Sequence, residues 1–411
     1  MKTFIDLFAG LGGFHIGLSQ LGMKCVFASE IDKNLALLYE KNFGIRPHGD
    51  IRNVREADIP QHDVLCAGFP CQPFSAAGKK KGAKCPKSGK LIDEVLRIAK
   101  YHQPKYVLLE NVPQILTIQN NEFWNYVVSE FDKIGYKIQY KIYSPEEFGI
   151  PQHRKRVFVI AYRDKPIVLP KLTAQKCNIE SILRDDISHK EVEKDKINIL
   201  KHWQLFLSHI KNISSHTVLS AEFGASYPIE DLNNLSLTEL KKYKGAFGKD
   251  LTNCTTRSEV YNLMPEYIRK NEGRIPKWIK SSIINSRKIY DENKVFLDVW
   301  KEALPQYTSW QKLEWRAERK SLDIWKNVIQ FRASGIRISK PLYAPSLVAM
   351  TPTQVPIIGK YKRYLSPKEA STLQAMQVLK YLPENSTKAF KALGNAVNAK
   401  IINFISQQLV A

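Results

Sequence analysis

The hydrophobic positions of the first 165 residues predict strands that alternate with helices. Apolar runs of strand length recur along this part of the chain, and most are followed by a stretch with helical spacing. The predicted strands are 3–8, 24–28, 64–67, 106–109, 137–143 and 157–162, and the predicted helices are 14–21, 33–43, 91–102 and 122–134. Such alternation is typical of an α/β fold with a doubly wound, mostly parallel sheet.

Beyond residue 166 this alternation gives way to longer polar stretches. The pattern there predicts helices at 191–210 and 291–328, strand and loop at 335–359, and helices after Ser366 and from 394 to the end. The tryptophans of the second helical stretch favour packing in a core over base stacking. We therefore expect a first domain at 1–165, a second of mixed α and β at 166–383, and a C-terminal helix at 384–411 that returns to the first.

Charge and cysteine usage indicate the kind of partner and the compartment. Lys and Arg number 62 against 40 Asp and Glu, which gives a net charge of +22. This excess indicates a polyanionic partner, with nucleic acid ahead of an anionic membrane surface. The six cysteines form no CxxC pair, no apolar run reaches membrane length and no cleavable leader is evident. We expect a reduced, soluble, cytoplasmic protein without disulfides or a metal site.

A glycine-rich turn lies between the first strand and the first helix. Gly10 and Gly12 allow close approach of the backbone to a ligand, and Glu30 follows Gly10 by 20 residues, the spacing at which a carboxylate can bind ribose hydroxyls. The dinucleotide pattern GxGxxG fails because His15 occupies the third glycine position. The turn therefore favours a nucleoside ligand without a pyrophosphate, such as S-adenosylmethionine, with a plain structural turn as the alternative.

Chemically active side chains follow or precede three of the predicted strands. Cys71 lies in a loop stiffened by two prolines after the strand 64–67, Glu110 ends the next strand, and Arg154 and Arg156 directly precede another. Ligands collect at the carboxyl edge of such sheets. A thiol, a carboxyl group and two arginines at this edge fit a planar heterocycle that carries a ring nitrogen and a carbonyl oxygen.

Cytosine is a heterocycle of this kind. Its C5 is a poor nucleophile until a thiolate adds to C6 and turns the ring into an enamine. The addition needs positive character at N3, which a carboxyl group with a pKa raised by burial can supply. Arginine donors can hold the O2 carbonyl as charge develops there.

Six motifs in order resemble those of the C5-cytosine DNA methyltransferase family. They are DLFAGLGGF at 6–14, GFPCQPFS at 68–75, ENV at 110–112, FGIPQHRKRVFVIA at 148–161, RYLSPKEASTLQ at 363–374 and ALGNAV at 392–397. The resemblance covers about 165 residues at the front and 50 at the back, and leaves out the middle, where that family keeps its target-recognition region.

The resemblance implies roles for individual residues. Cys71 is then the nucleophile, Glu110 binds N3, and Arg154 and Arg156 contact the base or order the site. S-adenosylmethionine is the implied cofactor, and the residues expected to bind it are Phe8, Gly10, Gly12, Glu30, Asp50, Ile51, Pro70, Leu91, Asn395 and Val397.

The resemblance also implies double-stranded DNA as the partner and extrusion of the cytosine from the helix. The lysine-rich segment 75–91 resembles the family loop that closes over DNA, although composition alone favours a solvated lysine run. A monomer in the bacterial cytoplasm, associated with the nucleoid, is expected. A cognate restriction endonuclease without a stable complex is a further expectation.

The chain departs from the family pattern at two places. Lys368 replaces an arginine, and Leu91 begins a less aromatic version of its motif. Two other functions remain open: methylation of cytosine in transfer RNA, and nucleic-acid binding by a protein that has lost catalysis. The long region between 163 and 362 argues against the first, and retention of all four catalytic candidates argues against the second. A nicotinamide oxidoreductase is disfavoured by His15.

Overall fold

Two compact units make up the protein, seen here in a computed structural model that describes residues 1–69, 91–210, 213, 217–305, 307–347 and 354–410. The first unit comprises Met1–Ile187, Leu342–Pro352 and Ser366–Ala411, and the second comprises Ser188–Pro341 and Thr353–Leu365. The chain therefore leaves the first unit twice, with a short return at 342–352, and ends in it.

Strands and helices are numbered along the chain. The strands are β1 Thr3–Leu7, β2 Lys24–Ser29, β3 Val64–Ala67, β4 Tyr106–Asn111, β5 Lys137–Tyr143, β6 Gln152–His153, β7 Arg156–Tyr162, β8 Thr217–Leu219, β9 Lys312–Arg316, β10 Val328–Arg332, β11 Gly335–Ser339, β12 Ala344–Pro345, β13 Ile357–Ile358 and β14 Arg363–Tyr364. The helices are α1 Gly13–Ser19, α2 Lys33–Phe43, α3 Leu91–His102, α4 Glu122–Lys133, α5 Lys194–His209, α6 Leu237–Leu240, α7 Arg257–Asn262, α8 Glu266–Arg269, α9 Lys280–Glu292, α10 Lys294–Trp300, α11 Pro367–Leu373, α12 Ser386–Asn395 and α13 Ala399–Val410.

The sheet of the first unit has the strand order β2-β1-β3-β4-β7-β5. The pairs among β2, β1, β3 and β4 are parallel, and β7 is antiparallel to both β4 and β5. The sequence prediction of a mostly parallel sheet is confirmed, with the predicted strands within two residues of those observed. The reversed direction of β7 was not predicted, and it matters for the site.

Helices cover both faces of this sheet, as the prediction of a doubly wound fold requires. Alternate residues of a strand point to opposite faces. Ile5 and Leu65 pack with α3 and α4 on one face, whereas Phe4 and Val64 pack with α1 and α13 on the other. The strands are apolar on both sides because both sides are buried.

The second unit contains a sheet of strand order β14-β13-β10-β11-β9-β8. Its pairs are antiparallel except for β9 with β11. Trp300 and Trp315 are 3% and 1% exposed, and Trp310 and Trp325 pack against the same core. The prediction that these tryptophans serve core packing is confirmed.

The prediction of a continuous helix over 291–328 is wrong. α10 ends at Trp300, and β9 follows at 312–316. The reason lies in the period of the pattern, since Leu313 and Trp315 are buried while Lys312, Glu314 and Arg316 are not, which is the two-residue alternation of a strand. The spacing of the tryptophans fits both the helical period of 3.6 residues and the strand period of two. In the fold, 312–316 pairs with β8 and β11 and is therefore a strand.

The limits of the units differ from the predicted domain limits at 165 and 383. The first unit extends to Ile187 and includes 366–383. In the first unit, Gln374 donates to the carbonyl of Leu393, and Asn398 donates to the carbonyl of Leu373, so the segment after α11 is tied to α12 and α13. The predicted helix start at Ser366 is confirmed by a capping box with Glu369.

None of the helices in the described ranges combines the length and the apolar character that crossing a membrane requires.

Candidate active site

The order of the strands brings the predicted site residues to one edge of the sheet. β1, β3 and β4 are parallel neighbours, so the segments that follow them lie side by side. β7 runs the other way, which places its first residue, Arg156, beside the end of β4, where Glu110 lies. The carboxyl edge therefore carries the glycine turn, Gly68 and Phe69, the acid and the arginine.

The glycine turn after β1 adopts backbone angles that favour glycine. Gly10 and Gly12 have φ of 54° and 81°, and Phe8 has a positive φ of 57°. A side chain on Gly12 would collide with the ring of Phe43. The amide of Gly12 donates to the carbonyl of Ala9, which closes the turn.

His15, in place of the third glycine of the dinucleotide pattern, is buried beneath this turn. Its ring stacks on Phe43 at 4.1 Å between centroids, and its Nδ1 lies 2.7 Å from the hydroxyl of Tyr39. Burial lowers the pKa of His15 to about 4, so the ring is neutral at physiological pH. The histidine therefore fills space under the turn as an uncharged group.

Glu30, at the end of β2, holds the turn by its carboxylate. One oxygen accepts from the amide of Gly10 at 2.9 Å, and the other accepts from the amide of Asp32 at 2.8 Å. Burial raises the pKa of Glu30, and the two amides oppose that rise. Each carboxylate oxygen can accept a second hydrogen bond, so the group remains able to bind ligand hydroxyls.

Asp50 and Ile51 lie next to the end of β2. Ser29 bridges to His48, and the amide of Glu30 donates to the carbonyl of His48 at 2.8 Å. Asp50 caps a short helical turn and pairs with Arg52, whose guanidinium lowers the pKa of that carboxyl. Ile51 is buried in the core.

Arg97, on α3, is a residue that the sequence analysis missed. Its guanidinium donates to the carbonyl of Ile51 at 2.7 Å and to that of Val54 at 2.9 Å. Leu91, predicted to bind the donor, is the first residue of the same helix. The arginine thus ties α3 to the segment that contains Asp50. Only the fold could reveal this contact, since the partners are more than 40 residues apart.

Val397 lies against two of the loops at the sheet edge. A side chain on Gly13 would collide with the carbonyl of Val397, and one on Gly68 would approach its Cγ2 to 3.0 Å. The glycines at 13 and 68 therefore allow the segment between α12 and α13 to pack close to β1 and β3. Asn395, the last residue of α12, is exposed next to it.

Glu110 and Arg156 form an ion pair in which the glutamate is buried and the arginine is partly exposed. Nε of Arg156 lies 3.1 Å from Oε1 of Glu110, and the two side chains are 18% and 9% exposed. Burial raises the pKa of Glu110, although the charges of Arg156 and Arg154 oppose that rise. Burial therefore makes the protonated form of Glu110 more favourable than it is for a glutamate on the surface.

Arg154 is directed to the C-terminal segment. Its Nη2 donates to the carbonyls of Gly394 and Ala396, at 2.8 and 3.2 Å, and its Nη1 donates to Ser346 Oγ at 3.2 Å. These two carbonyls flank Asn395. By sequence, either arginine could contact a base or order the site. In the fold, Arg156 pairs with Glu110, whereas Arg154 binds the segment that carries Asn395 and Val397.

Cys71 and Pro70 lie outside the described residues. Asn111 Nδ2 donates to the carbonyl of Phe69 at 3.3 Å, which links the end of β4 to the residue before Pro70. The cysteines of the described ranges are buried, and burial raises the pKa of each thiol. They are Cys25, Cys66, Cys177 and Cys254. None of these four is suited to form a thiolate.

Solved methyltransferases are among the structures that share this architecture. The methyltransferase EhMeth of Entamoeba histolytica superposes with a TM-score of 0.53 at 15% identity, over 99% of this chain and 97% of that one. The protein thus has the Rossmann-like fold of methyltransferases, with the glycine turn and Glu30 at the carboxyl edge of its sheet.

The chain belongs to the C-5 cytosine-specific DNA methylase family, whose model matches residues 2–411. It is 46% identical over 160 residues to the type II methyltransferase M.BsuFI of Bacillus subtilis, which covers 39% of each chain. It is 27% identical to M.AluI of Cellulosimicrobium cellulans, over 99% of this chain and 92% of that one. The alignments to M.BsuFI and M.MspI span less than half of either relative, 39% and 45%.

Proposed function

We propose that this protein transfers a methyl group from S-adenosylmethionine to C5 of a cytosine flipped out of double-stranded DNA. The observation that carries the proposal is the ion pair of Glu110 and Arg156, at the sheet edge next to the strand that leads to Cys71. Membership of the cytosine-specific methylase family supports the same reaction.

Glu110 and Arg156 suit the base-activation step. In that step the Cys71 thiolate forms a bond to C6, N3 gains the proton of Glu110, and the electron pair displaced from the ring makes C5 nucleophilic. The raised pKa of Glu110 favours the protonated form that this donation needs. Arg156 can stabilise the carboxylate that remains. After methylation, loss of the C5 proton to a base expels the thiolate, and N3 returns its proton to the Glu110 carboxylate, which restores the neutral aromatic ring and the acid.

The residues around the glycine turn fit S-adenosylmethionine. The turn is free of side chains at Gly10 and Gly12, and Glu30 retains acceptor capacity for the ribose hydroxyls. Phe8 belongs to the same turn, and Asp50 and Ile51 would lie near the adenine. The residues that would close the pocket are Pro70, Leu91, Asn395 and Val397. When bound, the cofactor supplies an electrophilic methyl group on a sulfonium.

The second compact unit is proposed to recognise the target sequence. It comprises Ser188–Pro341 and Thr353–Leu365 and has its own sheet and core. We also propose a monomer in the bacterial cytoplasm and nucleoid, within a restriction-modification system, in keeping with the type II methyltransferases it resembles.

Substrate choice is tested with purified protein and methyl-labelled cofactor. Duplex DNA and transfer RNA are offered separately, and the nucleosides are then separated. We expect label in 5-methyldeoxycytidine from the duplex and none in RNA. Label in RNA alone would support the transfer-RNA alternative. Binding of duplex without label in either substrate would support a nucleic-acid-binding protein that has lost catalysis.

Replacement of Glu30 with alanine should weaken cofactor binding. The change removes the acceptor of the Gly10 and Asp32 amides and, on this proposal, of the ribose hydroxyls. Charge-assisted hydrogen bonds contribute about 1.5–3 kcal/mol, so we expect Kd to rise about 10- to 100-fold. Titration calorimetry with S-adenosylmethionine measures this, and Glu40→Ala on α2 is the matched control. An unchanged Kd would refute the ribose role of Glu30.

Replacement of Arg154 with lysine should raise the KM for the cofactor more than it lowers kcat. Lysine keeps the charge but cannot hold the carbonyls of Gly394 and Ala396 and Ser346 Oγ together. Loss of about 1–2 kcal/mol of buried hydrogen bonding corresponds to a KM rise of about 5- to 30-fold. Ser346→Ala, which removes one weaker contact, is the control. A loss confined to kcat would instead indicate that Arg154 contacts the base.

A further inference from the structure

One face of the sheet in the second unit carries a row of polar side chains. The register places Thr217 opposite Glu314, Glu314 opposite Arg337, and Arg337 opposite Gln330, across β8, β9, β11 and β10. The alternate residues Leu313 and Ile336 lie in the core on the other face. These polar residues therefore share one face of the sheet. Gln330 is buried there and donates to the carbonyl of Gln354, so the accessible part of the row lies around Glu314 and Arg337.

Three arginines converge on the single carboxylate of this row. Arg337 Nε and Nη2 lie 2.8 and 3.0 Å from the two oxygens of Glu314. Nε of Arg316 lies 2.8 Å from Oε1, and Nη1 of Arg332 lies 3.3 Å from Oε2. We call Glu314 with these three residues the arginine face. The carboxylate fixes the direction of each guanidinium, which lowers the entropy lost when a ligand binds.

The arginine face carries more positive charge than its carboxylate can neutralise. Three guanidinium groups against one carboxylate leave an excess of two positive charges. The arginines are partly exposed, at 50% for Arg316 and 28% for Arg332 and Arg337, whereas Glu314 is 14% exposed. Burial and the charges of Arg337 and Arg316 lower the pKa of Arg332, which reflects the repulsion.

A purely structural account explains only part of this cluster. One arginine on Glu314 would tie β9 to β11, and the bidentate contact of Arg337 does so. The second and third arginines add mutual repulsion at half-buried positions, where it is poorly screened. An anion that contacts the face would relieve this repulsion.

Positive charge continues along the same face of β9. Lys312, two residues before Glu314, lines a cavity of about 430 Å³, with Lys249 and Arg269 among the other lining residues. Glu266 pairs with Lys312 there. The positively charged residues thus extend beyond the arginine face. A surface that binds several successive phosphates of a DNA backbone needs cations over such an extended area.

We infer that the arginine face binds the phosphate backbone of the DNA substrate. This inference rests on the proposed function and adds to it the contact surface of the second unit. A sheet lying face-on across the backbone meets phosphates, whereas reading of base edges generally requires a helix or a two-stranded ribbon inside the major groove. Arginine also pairs well with phosphate oxygens through two parallel hydrogen bonds.

The test is the salt dependence of DNA binding by intact protein. Arg316→Gln and Arg332→Gln are compared with wild type on a duplex that the wild type methylates and on a scrambled duplex. We expect each variant to weaken binding to both duplexes and to reduce the slope of log Kd against log salt concentration by about 0.9, the value for one lost phosphate contact. Arg274→Gln, which removes an exposed charge paired with Asp231, is the matched control.

Arg337→Lys separates backbone contact from base reading. Lysine retains the charge that a phosphate needs, so we expect most of the affinity for both duplexes to remain. If Arg337→Lys lost affinity only for the duplex that the wild type methylates, Arg337 would contact a base edge and the backbone assignment would be overturned. Variants that bind both duplexes like wild type, with normal thermal unfolding, would overturn the inference itself. Failure of the wild type to methylate any duplex would instead refute the proposed function.

Discussion

Replacement of Cys71 with alanine should abolish methyl transfer and leave DNA binding intact. Without a thiolate at C6, C5 of cytosine has no route to nucleophilic character, and removal of a covalent nucleophile commonly costs about 10⁴- to 10⁶-fold in rate. Single-turnover assays with labelled cofactor measure the loss, and gel-shift titration measures DNA binding. The described cysteines cannot substitute for it, because burial raises the pKa of all four thiols.

The matched control for this variant is Cys177→Ala. Cys177 lies in the same compact unit and is 8% exposed, and the proposed reaction gives it no role. We expect its turnover to stay within about twofold of wild type, as for substitutions away from the reacting atoms. Substantial residual turnover by Cys71→Ala would contradict the nucleophile assignment. Equal losses in both variants would point to instability instead of chemistry.

Replacement of Glu110 with glutamine should slow the methyl-transfer step by about 10²- to 10⁴-fold, the usual contribution of a general acid. The amide keeps the size of the side chain, and its NH₂ group can still donate to a ring nitrogen, but it cannot deliver a proton. The ion pair with Arg156 is lost as well. Rapid-quench measurement of a single turnover isolates this step from product release. Glu122→Gln, at the exposed start of α4, is the control.

The pH dependence gives a second readout for Glu110. Its pKa is raised by burial, so the protonated form persists to a higher pH than in an exposed glutamate. The proton-donating form is present below this pKa and is lost as pH rises through it, so the wild-type contribution of Glu110 should decline in that direction. Glu110→Gln should lack this decline. A single-turnover rate equal to wild type at every pH would eliminate Glu110 as the acid.

The strands and helices of the first unit could be predicted well from sequence because their signals are local. A buried strand, a glycine turn and the helix that follows lie within 20 residues, and Glu30 comes one strand later. Glu30 indeed accepts from the amide of Gly10, as a residue that supports the turn should. Cys71 was assigned from its motif, and it lies outside the described residues.

The different contacts made by Arg154 and Arg156 could not be predicted from sequence. They depend on the antiparallel direction of β7, which sets Arg156 beside Glu110, and on partners of Arg154 that lie 192 to 242 residues away. Such contacts leave no local pattern. The arginine face was hidden for the same reason, because Glu314 and Arg337 meet only once β9 and β11 pair in register.

The most direct test of the account is to trap the enzyme on DNA that contains 5-fluorocytosine at the target position. Fluorine cannot leave C5 as a proton does, so the reaction should stop after methylation with the enzyme bonded to C6. We predict a denaturation-resistant adduct that requires S-adenosylmethionine, maps to the peptide containing Cys71 by mass spectrometry, and is absent from Cys71→Ala. Adduct on another residue, or active enzyme that turns over this substrate without any adduct, would contradict the account.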